Sequence, residues 1–237
     1  MYESNFIHST KFVPYGVEYF TTILVITLMG VLLIRYGRGK DKETQWRVLR
    51  ILSYVISFAV IMNGIIEIML GRFDLSEDLP LIFCNLIALF LPIYTYYRKQ
   101  FLFDVLYYII LAGAIQSVST PSIELSLPFY DTIKFWIVHG GLIIFILFII
   151  FLIKTWPTFK GIMHAFLFVQ VYVVLIIGIN YLLGANYLFL NEKPQTASIL
   201  DLLGDWPYYI LIMDVLLIPY FGILYLPIWI IRKKWGN

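Results

Sequence analysis

Cys84 and His139 stand in the outer portions of two different apolar segments. Their residue types are those of a nucleophile and its base, in which an imidazole takes the thiol proton and the thiolate attacks an acyl carbonyl. Cys84 lies about four residues past Pro80, hence roughly 6 Å below the outer end of its segment at ~1.5 Å rise per residue. His139 lies about seven residues past the outer start of its own segment, roughly 10 Å down, so the two depths match. An acid or amide should then hold the far imidazole nitrogen, and Asp214, roughly 10 Å into the last segment, and Asn180 are the alternatives. Gln116, with Ser117 at the end of the fourth segment, is either a terminal cap or an amide donor to an oxyanion. Each residue also has a plainer use. A buried cysteine packs as a small hydrophobe, and a membrane histidine hydrogen-bonds one helix to another.

The elements that must position these groups follow from composition. Hydrophobic residues form 61% of the 237-residue chain and charged ones 14%, against roughly 25% charged in a soluble domain. An integral membrane protein is expected, with spans near 17–36, 46–70, 80–97, 101–119, 132–153, 161–183 and 207–231. Most reach the ~20 residues that cross the hydrocarbon core. The fold class is therefore all-α, a single domain over 1–237 built as one bundle of seven transmembrane helices. The first run is expected to be retained, because its basic cluster Arg35, Arg38, Lys40 and Lys42 follows the apolar stretch and no small-residue cleavage site precedes it.

In this seven-pass arrangement 13 of the 17 Lys and Arg residues fall on one side and 4 on the other. The positive-inside rule then places the N-terminus outside and the C-terminus in the cytoplasm. Glu67, Cys84, Gln116, His139, Asn180 and Asp214, one in each of six segments, thereby share one outer layer. Charges deep in lipid cost roughly 2.5–3.5 kcal/mol on insertion scales, so such a layer is expected to line a shared cavity rather than face acyl chains. Glu67, one turn from Asn63, accepts a proton or braces the bundle. Asp104 and His164 lie within about a turn of the cytoplasmic boundary, where side chains snorkel to water, and they are given no chemistry.

The two longest loops are both outer, at 118–131 and 184–206. The second is too apolar for a solvated linker, and SILDLLGDW spaces Ile199, Leu202 and Leu203 as a short interfacial helix with Gly204 as its stop. It is expected to cover the cavity as a lid. Asn186, Asp201, Asp205 and Trp206 from this loop, with Glu67 and Asn85, are the side chains expected to meet a substrate. No cofactor or metal is expected: the lone cysteine excludes CxxC motifs, and no phosphate loop, HExxH helix or GxSxG elbow is present. Segment 207–231 has no lysine, which excludes a retinal protein. The expected surroundings are the lipid bilayer of a bacterial plasma membrane, and nucleic acid is not an expected partner. The rival class is a non-enzymatic binder or transporter of lipid or small solutes with an acidic outer cavity.

The blocks LPLIFCN at 79–85, LAGAIQSVSTP at 111–121, FWIVHGG at 135–141, and NYLFLNEKP with SILDLLGDWPYY within 186–209 resemble the YwaF-like integral membrane family, relatives of animal transmembrane protein 164. The resemblance implies an acyltransferase that moves a fatty acyl chain between phospholipids through an acyl-cysteine intermediate with a histidine partner, so a phospholipid or lysolipid is the implied donor or acceptor. The family's motif cysteine falls on Cys84 and its histidine on His139. This chain departs from the pattern at Ile82, where the family has a second histidine, at Asn85, often an acid, and at Tyr19, where a histidine is usual.

Overall fold

The computed structural model describes residues 11–194 and 199–235. Seven α-helices run through them: α1 Val17–Gly37, α2 Lys42–Met69, α3 Phe83–Tyr97, α4 Gln100–Ser119, α5 Tyr130–Phe148, α6 Lys160–Leu183 and α7 Tyr208–Trp235. The described residues include no named strand, only an isolated bridge between Lys11 and Leu125. Six of the helical segments are long and apolar enough to cross a membrane, which makes this a multi-pass integral membrane protein.

The exception corrects one expected span. The segment 80–97 is not helical throughout: α3 begins at Phe83 and its 15 residues reach ~22 Å, short of a ~30 Å hydrocarbon core. Before it, Leu81 N–H bonds back to Leu79 O at 2.7 Å, so 79–82 enters the bundle as non-helical chain. Pro80 contributes no N–H, and its ring disfavours the helical conformation for Leu79.

Local chemistry sets several other boundaries. Asp41 caps α2 by accepting from Thr44 N–H at 2.9 Å. Arg98, at φ 52°, reverses the chain between α3 and α4 within three residues. α5 continues into a π-helical turn, Ile149–Ile153, whose terminal carbonyls of Leu152 and Ile153 accept from Lys42 Nζ at 2.7 and 3.1 Å. The expected interfacial helix is instead a five-residue 3₁₀ turn, Ile199–Leu203, while residues 195–198 lie outside those described. Gly204, at φ +84°, follows it as expected of a stop.

Helices α4 and α5 form the centre. α5 packs on α1, α2, α3 and α4, and α4 packs on α3, α5, α6 and α7. Gly140 and Gly141 allow the close approaches: a methyl at Gly140 would stand 2.9 Å from Ile26 of α1, and one at Gly141 2.7 Å from Ile56 of α2. The principal core runs between these helices through Leu49, Ile56, Ala88, Leu91, Phe103, Tyr108, Leu142 and Phe145.

The end of the bundle at the α3–α4 and α5–α6 connections, the expected cytoplasmic end and here called inner, is closed by a bonded carboxylate. Asp104 does not snorkel; it is 1% exposed. Its oxygens accept from Gln100 Nε2 at 2.9 Å, Thr158 N–H at 2.9 Å and Thr158 Oγ1 at 2.8 Å, with His164 Nδ1 at 3.6 Å. The absent side chain of Gly161 leaves room for it, since a methyl there would stand 2.6 Å from the carboxyl carbon.

Candidate functional site around Cys84 and His139

Cys84 is the second residue of α3 and is buried in the principal core. Its thiol faces α4 at Gly113, where an added methyl would stand 3.2 Å from Sγ. The start of α3 has no capping side chain, because Ile82 occupies the N-cap. The N–H groups of Phe83, Cys84 and Asn85 therefore lack acceptors among the described residues, and the first satisfied one is Leu86 N–H, bonded to Ile82 O at 3.0 Å. Burial in apolar surroundings opposes a thiolate, and the positive end of a helix favours it.

The segment leading into Cys84 is pinned from two sides. Tyr172 of α6 donates its hydroxyl to Leu81 O at 2.7 Å. The Tyr187 hydroxyl donates to Leu75 O and accepts from Leu79 N–H, both at 2.9 Å. Burial pushes the Tyr187 phenol above its ordinary pKa, which keeps it a donor.

His139 lies half-buried in α5, directly before Gly140 and Gly141. Its Nδ1 is 2.8 Å from the carbonyl oxygen of Phe135, one turn earlier, and the two rings lie 4.3 Å apart between centroids. A carbonyl accepts only, so a neutral imidazole carries its proton on Nδ1 and its lone pair on Nε2. Counted from the inner helix ends, Cys84 lies 13 residues above Tyr97, Gly113 13 above Gln100 and His139 14 above Ile153. All three therefore share a level ~20 Å above the inner boundary, on helices that pack on one another. Among the described residues no hydrogen bond joins the thiol to the imidazole.

The two groups expected to orient His139 are engaged elsewhere. Asn180, 1% exposed, donates from Nδ2 to Tyr187 O at 3.0 Å and accepts Tyr187 N–H at 2.9 Å. Asp214 accepts from Gln170 Nε2, tying α7 to α6. The backbone carbonyl of Phe135 takes the place sought for them. Gln116 is exposed, and its backbone carbonyl accepts from Thr120 N–H at 2.9 Å. Glu67 is held by Nε and Nη2 of Arg72, each at 3.0 Å, in a local pair at the end of α2.

The outer loop is largely self-bonded. Asn186 donates to Glu192 O at 2.9 Å and accepts Asn191 N–H at 3.0 Å. Asp205 lies 3.7 Å from Lys193 and is fully exposed, Asp201 is exposed, and Trp206 donates Nε1 to Leu190 O at 3.0 Å with its ring outward. Asn85 lies at the mouth of a lateral cleft between α2 and α3. Tyr19, at a position where the related pattern has histidine, donates to Val118 O at 3.1 Å and packs on Trp136. Ile82, at the other such position, is 52% exposed.

Sequence reasoning missed Gly113, the Phe135 carbonyl and the bare N-terminus of α3. The last had a visible signal: neither Ile82 nor Phe83 can cap a helix start.

Neither curated proteins nor solved structures yield a match. A model of the TMEM164 family, however, matches residues 14–225, which spans all seven helices but the end of the last, and the chain belongs to that family.

Proposed function

We propose that this protein is a membrane-embedded lipid acyltransferase that works through an acyl-thioester on Cys84. One observation carries the reading: His139 spends its Nδ1 proton on the Phe135 carbonyl, so Nε2 is the basic nitrogen, at the level of a buried thiol on a neighbouring helix. Nε2 takes the thiol proton and the sulfur attacks the ester carbonyl of a donor phospholipid. The tetrahedral oxyanion is met by the free N–H groups at the start of α3, a role for which Gln116 is the side-chain alternative. The C–O bond then breaks, the lysolipid alkoxide takes the proton from His139, and the acyl chain remains on sulfur. An acceptor hydroxyl, deprotonated by the same imidazole, attacks the thioester, the C–S bond breaks, and the proton passes from His139 to the released Cys84 thiolate.

In this reading the site opens toward the outer leaflet, with the N-terminus outside, and the loop segments 184–194 and 199–206 serve as its lid. Excluding water in this way favours transfer over hydrolysis of the thioester. In the rival reading as a solute carrier, an acidic layer coordinates cations. Two acidic members of that layer, Glu67 and Asp214, are bonded within the protein, which weakens that reading.

Intact-mass measurement of the purified chain should reveal an added fatty acyl mass that hydroxylamine removes. Cys84→Ser should lack the hydroxylamine-sensitive adduct, and both it and His139→Ala should lose lipid remodelling; unchanged remodelling in these variants ends the proposal.

A further inference from the structure

A longer α3 would silence its own first turn. Begun one turn earlier, with Leu79 as a non-helical N-cap and Pro80 at the first helical position, where a missing N–H costs nothing, the helix would bond Phe83 N–H to Leu79 O, Cys84 N–H to Pro80 O and Asn85 N–H to Leu81 O. From Pro80 to Tyr97 it would reach ~27 Å, nearer the ~30 Å hydrocarbon core than the ~22 Å of α3. Residues 79–83 are apolar throughout, so length and hydropathy both favour this helix. The chain does not form it.

Two of the three carbonyls it needs are already occupied. Leu79 O accepts Leu81 N–H at 2.7 Å across Pro80, a local bond that winding would exchange for a helical one. Leu81 O accepts the Tyr172 hydroxyl at 2.7 Å, and this bond comes from another helix. The Tyr172 ring is buried, with centroids 5.0 Å from Phe83 and 6.3 Å from Phe168, so its hydroxyl is held in place. Tyr172, Ile176 and Asn180 form one buried face of α6 at a spacing of four. Asn180 fixes the backbone of Tyr187, whose hydroxyl accepts Leu79 N–H at 2.9 Å. α6 thus grips the entry to α3 at both Leu79 and Leu81. We propose that Tyr172 is a positioning residue: its hydroxyl occupies the Leu81 carbonyl, keeps 79–82 from winding onto α3, and so leaves the N–H groups of Phe83, Cys84 and Asn85 free to meet the oxyanion. The inference rests on the acyl-transfer reading for the use of these N–H groups; the held-open start does not depend on it.

Tyr172→Phe removes the hydroxyl and keeps the ring. The full chain in detergent micelles is mixed with p-nitrophenyl palmitate as acyl donor, and rapid quenching with intact-mass measurement gives the rate at which the hydroxylamine-sensitive adduct accumulates. That rate should fall about tenfold in Tyr172→Phe, less than the 10²–10³ lost with an oxyanion donor removed outright, and the half-saturating ester concentration should not change. Amide hydrogen exchange at residues 83–85, read by mass spectrometry, should slow in the same variant, because winding bonds these groups; a merely loosened chain exchanges faster. Ile82→Pro supplies the rescue. Ile82 has a φ of −71°, which suits proline, its N–H has no partner among the described residues, and proline there disfavours the helical conformation for Leu81. Added to Tyr172→Phe, it should restore the rate and the fast exchange; alone, it should leave both near wild type. Faster exchange in Tyr172→Phe, or a lost rate that Ile82→Pro does not restore, makes Tyr172 a packing residue and overturns the inference. A Tyr172→Phe chain that matches the wild type in adduct formation and in exchange overturns it too, and leaves acyl transfer standing. A wild-type chain that never forms the adduct overturns acyl transfer, and the exchange then still decides whether Tyr172 holds the start of α3 open.

Discussion

Two polar clusters, one toward each end of the bundle, are bonded in opposite ways. At the inner end, the buried Asp104 carboxylate accepts three hydrogen bonds from Gln100 and Thr158. Toward the outer end, the Cys84 thiol, three N–H groups of α3 and the amides of Asn63 and Asn85 have no partner among the described residues. A buried polar group left unbonded costs about 1–3 kcal/mol, so its retention calls for a use other than holding the fold. Polarity within a membrane therefore does not by itself mark a site, and unspent hydrogen-bonding capacity alone does not either, since Gln45 Oε1, Arg50 Nε, Trp136 Nε1 and His164 Nδ1 are also buried without a hydrogen-bond partner among the described residues; unspent capacity beside a nucleophile marks it better. The same test divides the outer layer, since Asn180 and Glu67 are bonded within the protein while Cys84 and the Nε2 of His139 are not.

The largest effects should separate the two ends. Cys84→Ala is expected to reduce acyl transfer to background while shifting thermal unfolding little, because the thiol gives up no hydrogen bond. His139→Gln should slow transfer by about 10²–10⁴, the usual worth of a general base. Asp104→Ala should do the reverse: it strands the Thr158 N–H and hydroxyl and should destabilise the protein by about 3 kcal/mol, with transfer retained in the fraction that stays folded. Lipid turnover and thermal unfolding measured on the same preparations check both arms. If Cys84→Ala proves the more destabilising of the two, unspent bonding capacity is the wrong guide.

Next in size is Asn180→Ala. Losing both bonds to the Tyr187 backbone in a site 1% exposed should cost about 2 kcal/mol. Tyr187 also holds the chain at Leu75 and Leu79, so its release should loosen the outer loop. The ratio of free fatty acid to transferred acyl product should rise, as it should when Trp206 and Leu203 are both changed to alanine. Lowered stability with an unchanged ratio would reduce Asn180 to a brace and the loop to an anchor.

Much of this was legible in the sequence. The apolar runs foretold six long helices because their length and composition alone satisfy the bilayer. The short α3 was misjudged because 79–82 is as apolar as the helix it precedes, and hydropathy does not register that Tyr172 and Tyr187 bond the backbone of Leu81 and Leu79 in a non-helical run. Matched depth brought Cys84 and His139 to one level, since rise per residue is a property of any helix. The orienting group was not legible: a backbone carbonyl belongs to every residue, and only the ring conformation of His139 selects that of Phe135. The bonding of Asp214 to Gln170 was likewise hidden, because which faces of α6 and α7 meet is decided by packing and not by periodicity.

Gly113→Ala probes the thiol with a single methyl. The added carbon would stand 3.2 Å from Sγ, so the thiol must move by a few tenths of an ångström. Transfer should fall about tenfold, as expected where geometry is set for reaction, while stability changes by less than about 1 kcal/mol. Rates of thioester formation for the two chains, measured in one turnover, decide it. Equal rates would mean that the thiol leaves Gly113 before it reacts.

The smallest effect should come from a carboxylate that is bonded but exposed. Asp41 caps α2 at its inner end, and the hydrogen bonds from the Thr44 hydroxyl and N–H hold its carboxyl below the usual aspartate range. Because the folded value lies below the unfolded one, the ionised carboxylate contributes stability above the unfolded pKa, about 3.9, and loses it as pH falls through the folded value. Asn at position 41 still caps a helix but does not titrate. Wild type should therefore exceed Asp41→Asn in unfolding temperature near neutral pH by a small margin, and the margin should close on acidification. Water already solvates this carboxylate in both states, which is why its bonds weigh less than those of Asp104, itself 1% exposed. An Asp41→Asn loss as large as that of Asp104→Ala would show that bonding outweighs burial at the inner end, and the contrast between the two ends would have to be drawn on bonding alone.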